Sequence, residues 1–331
     1  MKTKSPQVKP QQIIIGFVIL LAGITGVLFY QNRTNLFDWF AGLSYSPTPE
    51  VSALEESVNL TDSAKRILHA THPSLESRDD FNMYCDSHNS RVSVLGCYTN
   101  NRIYLYDINE ASLAGVKEST LAHELLHAVW ARMSDSEKDR ISTLLTEVYN
   151  NEQYHSLLAE DLETYEESNR MDELHSRIGT EIVELPEELE AHYAKYFKDQ
   201  DAVVMYFNDY ITPFRELSQK IKELSDKLTS LDVEIQEKSK SYHDLAEELS
   251  ADIDKFNQCA NETNCFASTS AFQNARNELL SRKSSLEELF EQTNNLIKQY
   301  NDIVKEYNDN IMRGETLENL INSNATVEEI K

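Results

Sequence analysis

The sequence predicts a mainly α protein in three parts. These are an N-terminal transmembrane helix, an α+β unit with a small β-hairpin or sheet, and a long antiparallel α-helical coiled-coil hairpin. Three observations predict it. The 331 residues include 8 Gly and 7 Pro, where ordinary usage would give about 23 and 17, so helices dominate and tight turns are few. Apolar residues recur at alternating steps of four and three through two long stretches of the second half, which is the seam of a coiled coil. The run from Ile13 to Tyr30 carries no charge and is near the minimum length for a membrane span.

Lys2, Lys4 and Lys9 precede that run, and no acidic residue occurs before Asp38. By the positive-inside rule residues 1–11 are cytoplasmic, residues 12–30 form a single-pass anchor, and the remainder is extracytoplasmic on the cell membrane. A cleaved signal peptide is the rival reading. The apolar run is long for one, and no small-x-small site follows it closely. Residues 31–50, with Pro47 and Pro49, read as a tether.

Residues 51–210 are long enough for one real core. Leu60-Thr61-Asp62-Ser63 should cap a helix reaching Thr71. Val92–Tyr98 and Arg102–Ile108 are rich in β-branched and aromatic residues and read as strands, with polar Thr99-Asn100-Asn101 turning between them. Leu121–Met133 is apolar and helix-prone apart from its own His and Glu. Ser134-Asp135-Ser136-Glu137 has the pattern of a capping box and opens a helix to Asn150. Glu152–Glu167 reads as a further helix, and Pro186 suits the first turn of one that runs through Tyr196.

From Phe214 the character changes. Leu217, Ile221, Leu224, Leu228, Leu231 and Ile235 begin one seam, and Phe272, Ala275, Leu279, Leu286, Leu289 and Leu296 carry a second. A polar segment from Cys259 to Cys265 separates them. The prediction is a helical hairpin over 211–313, each arm of roughly 40 to 45 residues spanning about 60–65 Å. Residues 314–331 read as a short helix and a frayed tail. This half carries no visible chemistry. It is either a rigid stalk or spacer, or an arm for self-association, substrate docking or partner binding.

The four cysteines fall into two local pairs, Cys85 with Cys97 and Cys259 with Cys265. In an exported chain these read as disulfides rather than free buried thiols. Neither pair has CxxC spacing, which argues against a cysteine zinc site. The formal charge of −25 argues against nucleic-acid binding and keeps the exported part off anionic headgroups.

The chemistry concentrates in His123-Glu124-Leu125-Leu126-His127. On a helix, residues four apart share a face, so both imidazoles can reach one metal ion, and Glu124 can face a water on that metal. The plain alternative is a helix with two histidines on one face and a surface Glu. Three ionisable groups on an otherwise apolar helix are costly without a partner that satisfies them, and a metal is such a partner. A third ligand is expected, because catalytic zinc usually takes three protein ligands and keeps one position for water. Glu173, 46 positions after His127, is the first candidate. Glu181, after Gly179-Thr180, is the rival, and His175 is a third.

The HExxH pattern behind a strand pair resembles the zincin metallopeptidases, over roughly residues 50–210. The metzincin continuation is absent, since Ala128-Val129-Trp130-Ala131-Arg132-Met133 holds neither Gly nor His. The chain is instead similar to gluzincins, which draw a Glu from a later helix. The resemblance implies an edge strand that holds substrate backbone over the motif helix. It implies Zn2+ on His123, His127 and Glu173, and Glu124 as general base for attack on a peptide carbonyl. It also implies a group near Ser176 that orients a ligand His, and an oxyanion donor drawn from His175, Arg177, His192 and Tyr193. Three functions follow as expectations. One is a zinc endopeptidase, another a zinc hydrolase of cell-wall cross-link peptides. The third is a cell-surface adhesion or assembly protein that works through its coiled coil and keeps an inactive zincin-like domain.

Overall fold

Residues 36–85, 94–162 and 165–323 are described by the computed structural model. The expected anchor at 12–30 lies outside them. Among the described residues no helix is long and apolar enough to cross a membrane. The chain forms two compact units. One runs to Pro213 and takes up the chain again from Glu318, and the other is Phe214–Leu317.

In the first unit, residues 36–43 are helical, inside the stretch read as a tether. Helix α1 (Pro49–Ser57) follows, capped by the Thr48 hydroxyl with Pro49 in its first turn, where a missing N–H costs nothing. Helix α2 (Asp62–Ala70) is capped by Thr61 as predicted. Strand β1 (Ser74–Glu76) and helix α3 (Arg78–Tyr84) lead to the hairpin of β2 (Gly96–Thr99) and β3 (Arg102–Tyr106). Asn100 and Asn101 both have positive φ, 50° and 58°, which is the turn a two-residue hairpin favours.

Both strands are shorter than expected. The first begins at Gly96 rather than Val92, although residues up to 93 lie outside those described, and the second ends at Tyr106. The sheet also has a third strand. Its order is β1-β3-β2, with β1 parallel to β3. Three residues are too few to show an alternating pattern, so β1 left no sequence signal.

Helix α4 (Val116–Arg132) carries the motif. Helix α5 (Asp135–Tyr149) opens on the predicted capping box, with Ser134 and Glu137 bonded reciprocally. Helix α6 (Glu152–Leu162) stops short of Glu167. Helices α7 (Arg170–Glu181) and α8 (Glu187–Tyr193) complete the core, with Pro186 as the residue before α8 rather than within it. Leu121, Leu125 and Leu126 of α4 meet Leu174 and Ile178 of α7 and Tyr193 of α8 in a fully buried cluster. The Cys85–Cys97 disulfide joins the end of α3 to the outer strand β2, beside a small cluster of Phe81 and Tyr104.

Helix α9 (Gln200–Asn261) has 62 residues and α10 (Thr269–Ile321) has 53, so both exceed the predicted arms. The start of α9 was missed because Val203 and Val204 are buried in the first unit's core and follow no heptad register. Helix α10 runs on to Ile321, so the short helix expected from Gly314 is a continuation of the second arm. In the second unit the two helices run antiparallel. The ion pairs Lys220–Glu306 and Arg282–Asp252 and the hydrogen bond Lys238–Gln292 mark the register. The Cys259–Cys265 disulfide and the packed rings of Phe256, Phe266 and Phe272 close the tip.

Candidate metal centre

Gly115 caps the start of helix α4, with φ at 86°. A Cβ there would lie 2.5 Å from the Tyr206 carbonyl oxygen, so a side chain is excluded on both conformational and steric grounds. One face of α4 then carries His123 and His127 a turn apart, and their Nε2 atoms are 3.1 Å from each other. Helix α7 brings Glu173 against them. Its carboxylate oxygens lie 3.7 Å from His123 Nε2 and 3.5 Å from His127 Nε2. All three donor atoms fall within 4.8 Å of one another, and this group can hold a metal ion.

The approach of α7 to α4 depends on Gly179. A Cβ there would sit 2.5 Å from both Leu126 Cδ1 and Tyr193 Cε1, closer than real side-chain atoms pack. A second glycine acts from the sheet side. A Cβ on Gly96 would meet Thr120 at 2.6 Å and the Glu124 side chain at 2.8 Å. The absent side chain therefore lets β2 lie directly against the carboxylate of the motif. Among the described residues β2 pairs only with β3.

Asp172 supplies a contact that the sequence did not reveal. Its Oδ1 accepts from His127 Nδ1 at 2.8 Å. That bond places a ring proton on Nδ1, so that in the neutral imidazole the Nε2 lone pair faces His123 and Glu173. Ser176, the residue expected near this role, is fully buried, and its hydroxyl finds no hydrogen-bond partner among the described residues. The only sequence cue to Asp172 was its place next to Glu173, which is weak in so acidic a chain. Tyr165 was also missed. Burial, followed by the charge of Glu173, pushes its phenol's pKa well up.

The electrostatics follow from burial around these charges. Burial raises Glu173, but the two imidazoles outweigh it and hold the carboxyl well below its usual range. Burial would depress His127, yet its bonds to Asp172 and Glu173 carry it well above the ordinary value. Glu124 is raised, chiefly by burial, against the pull of both histidines. The imidazoles keep about a fifth of their side-chain surface, 23% for His123 and 17% for His127. The buried carboxylate therefore closes one side and the other stays open.

Of the remaining predicted residues, Glu181 accepts two bonds from Arg177, at 3.0 and 3.1 Å, and does not belong to the metal group. Arg177 also donates to the Leu157 and Leu158 carbonyls. His175 is fully buried, with Nε2 2.8 Å from His192 Nε2, and its ring packs against Trp130. Tyr193 donates to the His175 carbonyl at 2.8 Å. These bonds tie α6, α7 and α8 together. No protein-family model, curated protein or solved structure matches this chain.

Proposed function

We propose that this chain is a membrane-anchored, extracytoplasmic zinc endopeptidase acting on protein or peptide substrates, with cell-wall peptides within that class. The single observation that carries the reading is the convergence of His123, His127 and Glu173, with Asp172 fixing His127. Two zinc bonds of about 2.0–2.1 Å at a tetrahedral angle put their donor atoms about 3.4 Å apart. The two Nε2 atoms are 3.1 Å apart, and Glu173 places Oε1 3.7 Å from His123 and Oε2 3.5 Å from His127, each contact near that value. Two nitrogens and one oxygen suit zinc, and three protein ligands leave a position for water.

Zinc bound there would supply Lewis acidity, lowering the pKa of a water and polarising a carbonyl. The chain's residues do the rest. Asp172 holds His127 in the ligating tautomer. Glu124 takes a proton from the attacking water and delivers it to the leaving amine. Its buried setting raises the carboxyl above its ordinary value, which favours its holding the proton between the two transfers. Strand β2, brought against Glu124 by Gly96, offers backbone groups to an extended peptide.

The test is metal content and peptide hydrolysis measured on the same preparations. Wild type should carry one zinc. Glu124→Gln should keep it while hydrolysis falls by roughly 10²–10⁴-fold. Glu173→Ala should lose the metal, and Asp172→Asn should weaken its binding by about 10–100-fold. Undiminished cleavage by Glu124→Gln would sink the mechanism. A zinc-loaded wild type that cleaves no peptide would favour the adhesion reading.

A further inference from the structure

The helical segment at 36–43 carries its apolar side chains on the wrong face for a core. At 100° per residue, Leu36, Phe37, Trp39, Phe40 and Leu43 fall within an arc of about 160°. All of them face solvent, with Phe37, Phe40 and Leu43 more than 60% exposed and Trp39 52%. The opposite face is the one that docks. Asp38 is 7% exposed and accepts two bonds from Arg132, at 2.8 and 2.9 Å. The Ala41 carbonyl accepts from His72 at 3.0 Å, and Gly42 lies against His69 of α2. Arg132 is the last residue of the motif helix. The segment is therefore clamped to the metal-site unit while it presents a band of five aromatic and aliphatic side chains outward.

We infer that this band is a bilayer-docking surface that seats the first unit against the membrane interface. The inference rests on the membrane-anchor part of the proposed function, not on the metal. The uncharged run ends at Tyr30, six positions before Leu36 and the start of the band. A chain held by that run must keep residues 36–43 within a few ångströms to tens of ångströms of the headgroups. Trp settles at headgroup depth, and Trp, Phe and Leu make up the inserted face of interfacial helices. The band contains no Lys or Arg, and the chain's charge is −25. The surface thus suits a zwitterionic interface through apolar insertion rather than an anionic one through charge.

Trp39 reports on this directly. The full chain is reconstituted into phosphatidylcholine vesicles, with and without dibrominated acyl chains, and its flotation and tryptophan emission are compared. The chain has two tryptophans, and Trp130 is buried in the protein. Brominated lipid should therefore quench emission by roughly half. The quenching should vanish in Trp39→Phe and shrink in the double variant Phe40→Ser, Leu43→Ser. Vesicles that float the chain but leave Trp39 unquenched overturn the docking surface and leave the anchor standing. A chain that fails to float overturns both. Unquenched Trp39 emission that shifts with the protein-to-lipid ratio assigns the band to a second copy and also overturns the proposal.

Discussion

The first unit places an ion pair inside its core, where Arg177 and Glu181 expose 9% and 8% of their side chains. The hairpin unit places its pairs on the surface, where Lys220 and Glu306 expose 41% and 49%. The same chemistry serves different ends. In the first unit several charges are desolvated together, so each must be matched by an opposite charge, a backbone carbonyl or a metal. In the hairpin, two helices can bury only a narrow seam. Leu224 and Leu249 are buried there, while Leu245, Leu280, Phe290 and Ile297 remain exposed. Burial shifts proton affinities where a layered core surrounds the groups, whereas in the hairpin the shifts at Lys220, Asp252 and Arg282 come from their ion-pair partners at the surface.

The largest expected effect tests that contrast at Arg177. Arg177→Met leaves Glu181 buried without its cation and should destabilise the first unit by about 3–5 kcal/mol in denaturant unfolding. A loss under about 1 kcal/mol would place the pair outside the low-dielectric core. Next comes acid sensitivity. Burial, with Lys195 and Arg140 adding to it, holds His192 down to about 4, against about 6.5 in an unfolded chain. The native state thus favours neutral His192. Its contribution is complete above pH 6.5 and is lost as the pH falls towards 4, by about 3 kcal/mol at most. An unfolding midpoint followed across that window should drop, and His192→Asn should flatten the slope.

A smaller effect is expected at Gly179. The Gly179→Ala methyl collides with Leu126 and Tyr193 and should cost about 1–3 kcal/mol through overpacking. Its metal affinity should fall with it, because α7 carries Glu173. Metal binding that is unaffected in a destabilised Gly179→Ala protein would show that the spacing of the two helices does not set the site. The smallest effect is in the hairpin. Lys220→Met should leave the second unit's thermal unfolding unchanged, since an exposed pair in solvent contributes little. A clear drop in the melting of the hairpin would mean that its surface pairs act as a network.

Parts of this architecture were legible at once. The Ser134 capping box, the Thr61 cap and the Asn100-Asn101 turn depend on a few adjacent residues, and each formed where its pattern stands. The heptad seams predicted two long helices because their period repeats many times over. The lengths of those helices were less legible. Where α9 packs in the first unit, three-dimensional neighbours rather than a repeat decide its buried face. Strand β1 and the helix at 36–43 were not legible at all. One is too short for a period, and the other turns its apolar residues outward, against the usual rule.

The sequence by itself determined the motif spacing, because a helix places residues four apart on one face whatever surrounds it. It also determined the pairing of cysteines that are near neighbours in the chain, and both disulfides are present. Only the tertiary structure decided between Glu173 and Glu181. The two carboxylates sit on one helix, and their fates differ because one meets the two imidazoles and the other meets Arg177. It alone revealed Asp172 behind His127 and Gly96 beside Glu124. Such contacts join residues tens of positions apart, and they form only when helices and sheet have packed to a spacing that no local pattern encodes.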